Sequence, residues 1–413
     1  MVIIKDKKLQ NLINYEIKRQ EETLDLIPSE NIASSDILKV IGSPLTNKYS
    51  EGYPGKRYYP GNTYYDKIEL LAQERALKAF KLNPLEWRVN VQPHSGSPAN
   101  LAIYMGLVEV GETIMGMKLA AGGHLTHGHK VSATGKLWNS VQYGLDEKNG
   151  LIDFEAVKKL AEEAKPKIIV SGFTAYPRRV NFKKFGEIAR SVGAKHMADI
   201  SHIAGLIAAG VHPSPFPYAD VVMTTTHKSL RGPRGAVIFS RTELSDKIDK
   251  AVFPGLQGGP HNNVTAGIAE MFYEVMRPEF KKYGRQVVKN AKALAEALNK
   301  SGFRLVSGGT DTHLILADVR GFGVDGLEAQ NRLEQGGIIA NRNSIPGDPS
   351  PFKPSGIRLG TPALTTRGMK EREMISVGEL IHEAISNKAG AANVRQKVLK
   401  LCRRFSAKRS LRI

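Results

Sequence analysis

An acid and a base stand at the ends of two predicted buried strands. Asp199 ends the predicted strand at residues 195–199, and Lys228 follows the predicted strand at residues 220–225. The carboxyl ends of parallel strands meet at one edge of an open α/β sheet, where ligands bind. The two side chains could form a structural salt bridge. They could also hold pyridoxal phosphate, with the lysine bonded to its aldehyde as a Schiff base and the aspartate on its pyridine nitrogen.

A third segment offers groups that bind phosphate. Residues 95–97 (Ser-Gly-Ser) precede an apolar helical run at residues 101–108, and Pro98 suits the first turn of that helix. Hydroxyls and N–H groups at the start of a helix bind anions, helped by the helix dipole. Alone, this segment is also a common helix N-cap. Together with Asp199 and Lys228 it completes the three contacts that pyridoxal phosphate needs.

Two glycine-rich stretches suggest different roles. Residues 49–59 concentrate Gly, Pro and Tyr around Glu51, which indicates either a packed surface loop or a functional one. Residues 321–326 match the pattern Gly-x-Gly-x-x-Gly, but the next predicted strand does not end in the acid that a dinucleotide site requires. We therefore do not favour a dinucleotide site.

Three histidines, His124, His127 and His129, lie within six residues and could indicate a metal site. They lack the i, i+4 spacing of helical ligands and have no carboxylate beside them, so we predict no metal. Contact of a histidine ring with a cofactor or ligand is an interpretation of this cluster at least as good as a metal site. The one cysteine, Cys402, excludes an internal disulfide and a cysteine-based metal site.

The chain of 413 residues is basic, with 59 Lys and Arg against 40 Asp and Glu and a formal net charge of +19. Residues 388–413 hold nine basic residues and no acidic one. This tail could bind nucleic acid or an acidic partner. We favour an amphipathic helix with one buried face, because no nucleic-acid-binding motif accompanies the charge.

The sequence also limits where the protein acts. No apolar run approaches the about 18 residues of a membrane span, so no membrane association is expected. The first eight residues carry charges where a signal peptide needs an apolar stretch. We expect a cytoplasmic protein.

Short apolar runs alternate with helical patterns through the middle of the chain. The predicted strands lie at residues 167–171, 195–199, 220–225 and 236–240, and the predicted helices between them at 154–164 and 182–192. This alternation predicts a mostly parallel sheet covered on both faces. Outside that region we predict helices at 7–27, 66–81, 265–300, 326–335 and 368–386, with strands near 313–319 and 337–340. The expected domains are an N-terminal helical arm at 1–45, a large domain at 46–273 and a smaller α+β domain at 274–413.

Taken together, these motifs resemble the serine hydroxymethyltransferases, a family of fold-type-I pyridoxal phosphate enzymes. The resemblance covers about residues 24–366, and its longest motifs lie at residues 28–31, 45–59, 122–128, 224–228, 254–260 and 355–362. It implies an α/β fold, with a mostly parallel seven-stranded sheet in the large domain and a smaller C-terminal α+β domain.

The resemblance also implies an activity, the reversible transfer of the serine hydroxymethyl group to tetrahydrofolate, giving glycine and 5,10-methylenetetrahydrofolate. The alternative is a related pyridoxal phosphate enzyme, either a β-hydroxy amino acid aldolase or a hydroxymethyltransferase that uses another pterin carrier or α-methylserine.

The resemblance further implies a role for each matching residue. The catalytic residues would be Lys228, Glu51, Tyr49, Tyr59, His227 and Thr225, with Lys228 bonded to the cofactor and Glu51 transferring a proton. Pyridoxal phosphate would contact Ser95, Gly96, Ser97, His124, Thr174, Asp199, His202, Lys228, Gly258 and Gly259. Gly258 and Gly259 would reach the phosphate bound by a partner subunit, which implies a homodimer with shared active sites.

Serine or glycine would contact Ser29, Tyr49, Glu51, Tyr59 and Arg358, and the Arg358 guanidinium would bind the substrate carboxylate through two hydrogen bonds. Tetrahydrofolate, the co-substrate, would contact Leu119, Gly123, Leu125, Asn343, Ser350, Pro351 and Phe352. The chain departs from the family pattern at residues 129–134, where it carries His129 and Lys130 and lacks an aromatic ring. That departure lies on the expected pterin side of the site.

Overall fold

The structure, a computed structural model, describes residues 4–348, 350, 353–387 and 390–407. The chain forms two compact units. We call Ala33–Arg285 the central unit, and Met1–Ile32 with Gln286–Ile413 the terminal unit. These boundaries differ from the predicted division at residues 46 and 274, and the three-part division of the chain stays a prediction.

The α-helices in the described part of the chain are numbered in chain order. They are α1 Lys7–Glu22, α2 Ser35–Ile41, α3 Thr63–Phe80, α4 Gly96–Leu107, α5 Ala133–Leu137, α6 Phe154–Ala164, α7 Phe182–Ser191, α8 Ala204–Ala208, α9 Thr242–Lys250, α10 Asn262–Met276, α11 Pro278–Lys300, α12 Gly326–Gln335, α13 Pro362–Thr366, α14 Glu371–Ser386 and α15 Ala391–Arg404. None of the helices in this part of the chain has both the length and the apolar character needed to cross a bilayer.

The strands are numbered in the same way. They are β1 Leu24–Asp25, β2 Gly52–Tyr53, β3 Lys56–Arg57, β4 Trp87–Asn90, β5 Thr113–Met117, β6 Asn139–Tyr143, β7 Ile168–Gly172, β8 Lys195–Asp199, β9 Val221–Thr225, β10 Ala236–Arg241, β11 Arg304–Leu305, β12 Leu314–Asp318, β13 Ile338–Ile339, β14 Asn341–Asn343 and β15 Gly356–Gly360.

A seven-stranded sheet organises the central unit. Its strand order is β4-β10-β9-β8-β7-β5-β6, and β10 runs antiparallel to both of its neighbours, β4 and β9, while the strands from β9 to β6 pair in parallel. Strands β7 and β9 are buried along their whole length, as is typical of strands that helices cover on both faces. The predicted α/β class with a mostly parallel, seven-stranded sheet is confirmed.

Apolar packing fixes the helices that flank this sheet. Ile103 of α4 and Ile248 of α9 join a core cluster with Ile114, Val170 and Val221 of the sheet, and all five side chains are fully or almost fully buried. A buried side chain of this size stabilises the fold by about 1.5–3 kcal/mol. Because α4 also packs against β9, its first turn is held close to the carboxyl end of that strand.

The terminal unit contains a four-stranded antiparallel sheet in the order β11-β12-β15-β14, and β1 pairs in parallel with β13. Helices α12, α14 and α15 pack together, and their buried faces share one core cluster with the sheet. In α15 the buried face includes Val394, Val398 and Leu401, which agrees with the amphipathic-helix interpretation of the basic tail. Residues 388, 389 and 408–413 of that tail lie outside the described residues.

Two predicted helices differ from the observed ones. The helix predicted at residues 7–27 ends at Glu22, because Leu24 and Asp25 pair with β13 instead. The helix predicted at 265–300 is two helices, since Arg277 adopts an extended backbone conformation before Pro278. A proline disfavours the helical conformation in the residue before it, which explains the break.

Candidate active site

A cavity of about 200 Å³ lies at the carboxyl ends of β8 and β9 in the central unit. We call it the strand-end pocket, and its lining residues are Ser95, Gly96, Ser97, Asn100, His124, His127, Phe173, Thr174, Asp199, Ser201, His202, Thr225, His227, Lys228 and Arg234. The structure thus brings together the predicted residues of three segments that are far apart in the sequence. Asp199 ends β8, Lys228 follows β9, and Ser95 precedes α4.

Asp199 is held in place by hydrogen bonds to both of its carboxylate oxygens. Oδ1 accepts bonds from the Ser201 hydroxyl at 2.6 Å and the Ser201 backbone N–H at 3.1 Å. Oδ2 accepts a bond from the Asn100 amide at 3.1 Å and lies 3.1 Å from Nε2 of His127. Burial raises the pKa of Asp199, but the contacts with His127, Lys228 and Ser201 outweigh that effect and hold the pKa well below its usual range. The carboxylate therefore stays ionised.

The hydrogen bonds of His127 define which ring nitrogen carries the proton. Its Nδ1 accepts a bond from the backbone N–H of His124 at 3.3 Å, so Nε2 is the ring nitrogen that carries a proton. That nitrogen then donates to Asp199. Burial and the neighbouring His127 lower the pKa of His124 to about 4, so the His124 ring is neutral at physiological pH.

The first turn of α4 presents donors to the pocket. Ser95 is the N-cap of this 12-residue helix, and its side chain makes no capping hydrogen bond. The N–H groups of Gly96 and Ser97 belong to the first turn, where a helix offers them no internal acceptor. An added side chain at Gly96 would lie 2.7 Å from Cγ2 of Thr225, so glycine is required for the close approach to β9.

The lysine side of the pocket contains buried polar atoms that have no hydrogen-bond partner within the described residues. Two of these atoms are Oγ1 of Thr225 and Nδ1 of His227. Elsewhere in the pocket, Oδ1 of Asn100 is also buried without a hydrogen-bond partner in the described part of the chain. Buried polar atoms are rarely left unpaired, so these three suit contacts with a bound molecule. Burial and the neighbouring Arg234 and Lys228 lower the pKa of His227 to about 3, which keeps its ring neutral.

These features fit pyridoxal phosphate. The helix start offers an anion site, the ionised Asp199 suits a protonated ring nitrogen, and Lys228 provides an amine in the same cavity. The three unpaired polar atoms indicate that the cavity is built for a polar ligand.

Several predicted residues lie outside the lining of this pocket. Tyr49, Glu51 and Tyr59 lie on the loop at residues 49–59, which we call the tyrosine loop. The rings of Tyr49 and Tyr59 are 5.1 Å apart, and a side chain added at Gly258 would meet Glu51 Oε1 at 3.1 Å. Gly259 lies beside Tyr49 in the same way. We call these five residues the tyrosine-loop cluster.

The segment that carries Gly258 and Gly259 is fixed to the start of α4. Oε1 of Gln257 accepts a bond from the backbone N–H of His94 at 3.0 Å, and the rings of His94 and His261 stack at 4.0 Å. His94 immediately precedes Ser95, so this contact connects the edge of the strand-end pocket with the tyrosine-loop cluster.

The remaining predicted substrate residues belong to the terminal unit. Arg358 lies on β15, where its Nε donates to Asn341 at 3.1 Å. Burial lowers the pKa of Arg358 to about 10, so its charge sits in a poorly hydrated position. Ser29 follows Pro28, which packs so closely on Gly360 that an added side chain there would lie 2.5 Å from Pro28 Cα. Ser29 is thereby held near β15.

The predicted folate residues are divided between the two units. In the central unit, the hydroxyl of Thr174 donates to the carbonyl of Gly123 at 2.9 Å, and Leu125 is partly exposed. Leu119 begins a short 3₁₀ turn that precedes them. In the terminal unit, Asn343 lies on β14 and Ser350 is half-buried, while Pro351 and Phe352 lie outside the described residues.

The sequence prediction did not assign Asn100, His127, Ser201, Phe173 and Arg234 to the site. Asn100 lies one helical turn after Ser97, so the helical period placed it on the same face. His127 stood in the histidine cluster that was weighed as a metal site. Its bond to Asp199 joins residues 72 positions apart, and no local pattern indicates such a contact.

A mostly parallel sheet that places Asp199 and Lys228 at adjacent strand ends, opposite a helix start, defines an α/β enzyme with a site for a phosphorylated ligand. Two comparisons with known proteins make this specific. The family profile described as serine hydroxymethyltransferase matches residues 2–381. A serine hydroxymethyltransferase from Desulfotalea psychrophila is 52% identical over 406 residues, which cover 97% of this chain and 94% of that protein.

The chain belongs to the serine hydroxymethyltransferase family. The predicted family and the prediction that the chain is a hydroxymethyltransferase enzyme are confirmed.

Proposed function

We propose that the chain transfers the hydroxymethyl group of serine reversibly to tetrahydrofolate, giving glycine and 5,10-methylenetetrahydrofolate, with pyridoxal phosphate as its cofactor. One observation carries the proposal. Asp199, Lys228 and the first turn of α4 line the same cavity, so one chain provides all three contacts that this cofactor requires. Membership of the family supports the same reaction.

The strand-end pocket would hold the cofactor in one orientation. The first turn of α4, with Ser95, Gly96 and Ser97, would bind the phosphate. At the other end the ionised Asp199 would accept a hydrogen bond from the ring nitrogen and keep it protonated. The remaining cofactor contacts would come from His124 stacking on the ring, from Thr174 and His202, and from the covalent bond to Lys228. When bound, pyridoxal phosphate supplies an electron-accepting ring next to the substrate α-carbon.

The neutral histidines have separate tasks in this arrangement. His124 is uncharged, so it can lie flat on the ring without adding a positive charge beside it. His227 and Thr225 would bind ligand atoms through Nδ1 and Oγ1 and thereby fix the position of the reacting amino acid near Lys228. Both residues lie within three positions of Lys228 in the sequence. A small displacement of either would therefore change the alignment of the lysine with the reacting amino acid.

Substrate recognition would use residues from several segments of the chain. Arg358 would bind the substrate carboxylate, because an anion strongly stabilises a guanidinium in a poorly hydrated position. Ser29, Tyr49, Glu51 and Tyr59 would surround the hydroxymethyl group, and Glu51 would accept and return its proton. A positioned acid–base group of this kind accelerates a reaction by about 10²–10⁴.

The tyrosine-loop cluster would serve the pocket of a partner subunit. Its residues contact one another but do not line the strand-end pocket of their own chain. A homodimer in which Gly258 and Gly259 reach the partner's cofactor phosphate, with Glu51 beside them, completes both sites by symmetry.

The proposal has further parts that follow from the family resemblance. Tetrahydrofolate would contact Leu119, Gly123, Leu125, Asn343 and Ser350. The terminal unit would include the smaller C-terminal α+β domain. We also propose a cytoplasmic location and no nucleic-acid role for the basic tail.

The decisive experiment is an assay of serine cleavage by the purified protein loaded with pyridoxal phosphate, with and without tetrahydrofolate. We expect a visible absorption band from the bound cofactor, a new band with glycine plus tetrahydrofolate, and serine cleavage that depends on the folate. Cleavage at the same rate without folate would favour the β-hydroxy amino acid aldolase. Activity only with another pterin, or only with α-methylserine, would favour the corresponding hydroxymethyltransferase.

A further inference from the structure

Ser201 occupies a central position behind Asp199. Its hydroxyl donates to Oδ1 of Asp199 at 2.6 Å and accepts a bond from the backbone N–H of Thr225 at 3.1 Å. The side chain lines the strand-end pocket and is only 6% exposed. It therefore joins the ends of two neighbouring strands, β8 and β9, through one oxygen atom.

We propose that Ser201 is a positioning residue, which fixes the Asp199 carboxylate toward the cofactor ring nitrogen. This inference rests on the proposed function, because it requires that the pocket hold pyridoxal phosphate.

The Ser201 oxygen also lies 3.5 Å from Sδ of Met223, but a thioether is a weak acceptor, so the contacts with Thr225 and Asp199 decide the direction of the hydroxyl proton. A backbone N–H can only donate, so Thr225 uses a lone pair of the Ser201 oxygen. The hydroxyl proton then points to Asp199, since a carboxylate can only accept. The β-sheet backbone thus determines the orientation of the hydroxyl, and the hydroxyl determines the orientation of the carboxylate.

The burial of this contact makes it energetically important. A hydrogen bond to an ionised group is shorter and stronger than one between neutral groups, and the distance of 2.6 Å is in the range of such bonds. In a poorly hydrated pocket the carboxylate depends on its protein donors to remain charged. The bond from Ser201 is among the contacts that lower the pKa of Asp199.

The Ser201 hydroxyl and the other donors act on different oxygens. His127 and Asn100 contact Oδ2, whereas Ser201 contacts Oδ1 through both its hydroxyl and its backbone N–H. Removal of the hydroxyl would leave Oδ1 with the longer backbone bond, so the carboxylate could rotate about its own bond to Cβ. We expect weaker contact with a ring nitrogen and an unchanged phosphate contact.

The test compares the affinity of two ligands for the same variants. Pyridoxal phosphate has the ring nitrogen, and its 1-deaza analogue has a carbon atom in that place. In Ser201→Ala we expect the dissociation constant for pyridoxal phosphate to rise about fivefold to tenfold, the loss of one hydrogen bond to a charged group. The dissociation constant for the deaza analogue should stay within about twofold of the unaltered protein.

Two controls separate this effect from a loss of folding. Ser201→Thr keeps a hydroxyl and should restore the affinity ratio of the two ligands. Ser245→Ala removes another buried hydroxyl, which donates to the Thr242 carbonyl at 2.8 Å, and should leave the ratio unchanged. The ratio is measured within each protein, so a general loss of stability affects both ligands equally.

An equal loss of affinity for both ligands, or no loss for either, in Ser201→Ala would overturn the proposal. Those results differ from a failure of the proposed function, in which the unaltered protein would bind neither ligand in the pocket.

Discussion

The strand-end pocket and the tyrosine-loop cluster differ in how their side chains are held. In the pocket, Asp199 receives bonds from three other residues of the same chain, Asn100, His127 and Ser201, and all three are buried. In the cluster, Tyr49 is 57% exposed and Tyr59 is 42% exposed. The pocket is therefore organised within one chain, whereas the cluster presents its aromatic groups outward.

The base of the tyrosine loop is nevertheless rigid. The buried guanidinium of Arg57 binds Asp66 and Glu69 at 2.8 and 2.6 Å, and it also donates to the backbone carbonyls of Ser50 and Gly52. The contacts of Arg57 thus fix the backbone of the loop, while the side chains of Tyr49 and Tyr59 remain exposed. A preformed open face suits contact with a second component, and a partner subunit is the component that the proposed function requires.

The largest expected effect concerns the pocket. Lys228→Ala should abolish covalent attachment of pyridoxal phosphate, because the amine that forms the bond is removed. In the unaltered protein, borohydride reduction followed by peptide mapping should label Lys228. The matched control is Lys250→Ala, at an exposed end of α9, which should keep the label at Lys228. A label on another lysine in the unaltered protein would contradict the assignment.

The next effect concerns the cluster. Glu51→Gln should preserve the binding of cofactor and glycine but lower folate-dependent turnover by about 10²–10⁴, the contribution of a positioned acid–base group. Spectra of the bound cofactor and steady-state kinetics would measure the two properties separately. Glu163→Gln, an exposed change on α6, provides the control. Normal turnover in Glu51→Gln would assign the proton transfer to a different group.

A smaller effect concerns the support beneath the tyrosine loop. Tyr53 donates to the backbone carbonyl of Asp249, and Asn90 donates to both the Tyr53 hydroxyl and the Asp249 carboxylate. Burial, opposed in part by the Asn90 bond, raises the pKa of Asp249 to about 6. Because the folded state has the higher pKa, the stability contribution is present below the unfolded pKa of about 3.9 and is lost as pH rises through 6.

Asp249→Asn removes that titration and keeps the acceptor for Asn90. Relative to the unaltered protein, we expect the variant to gain about 1–3 kcal/mol of unfolding free energy between pH 4 and pH 8. Denaturant titrations at the two pH values would measure the difference. A gain that is the same at both pH values would show that the Asp249 carboxyl does not titrate in this range.

The smallest expected effect concerns the pterin side. Lys130, next to His129, adds a positive charge close in sequence to the proposed folate residues, and a polyglutamate chain on the folate carries several carboxylates. We expect a lower apparent KM for the polyglutamylated carrier at low salt, and the advantage should shrink as salt screens the charges. Kinetics with both carriers at two salt concentrations would test it. Equal KM values at low salt would mean that the two residues only solvate their loop.

The residues of the strand-end pocket could be predicted from the sequence, whereas most of the hydrogen bonds that orient them could not. Asp199, Lys228 and Ser95 stand at the ends of recognisable elements, so the rules for parallel sheets place them at one edge. The hydrogen bonds that orient Asp199 come from Asn100 on α4 and from His127 in a loop, and their positions depend on tertiary packing. Sequence patterns describe elements well and the contacts between distant elements poorly.

The ends of the helices and strands were likewise predicted well only where local sequence decides them. The period of apolar residues predicted α6 with its observed bounds, because that helix is amphipathic and capped by Asp153. The pattern failed where a long-range contact decided the outcome, as at Leu24, whose pairing with Ile338 replaced a helical turn. The break before Pro278 had a local signal, since proline restricts the residue before it.

The central claim is that each active site combines the pocket of one chain with the cluster of another, and subunit mixing tests it most directly. Lys228→Ala disables the pocket of its own chain. Gly258→Asp disables the cluster, because the new side chain would meet Glu51 and repel the cofactor phosphate. In a mixed dimer, one site takes both defects and the other takes neither.

Each variant alone should be inactive, and remixed subunits should recover about a quarter of the unaltered activity, since half of the dimers are mixed and one site in each is intact. The fraction of mixed dimers can be measured with a different affinity tag on each variant. Recovery near this level would support shared sites. Purified mixed dimers without folate-dependent activity would contradict the account.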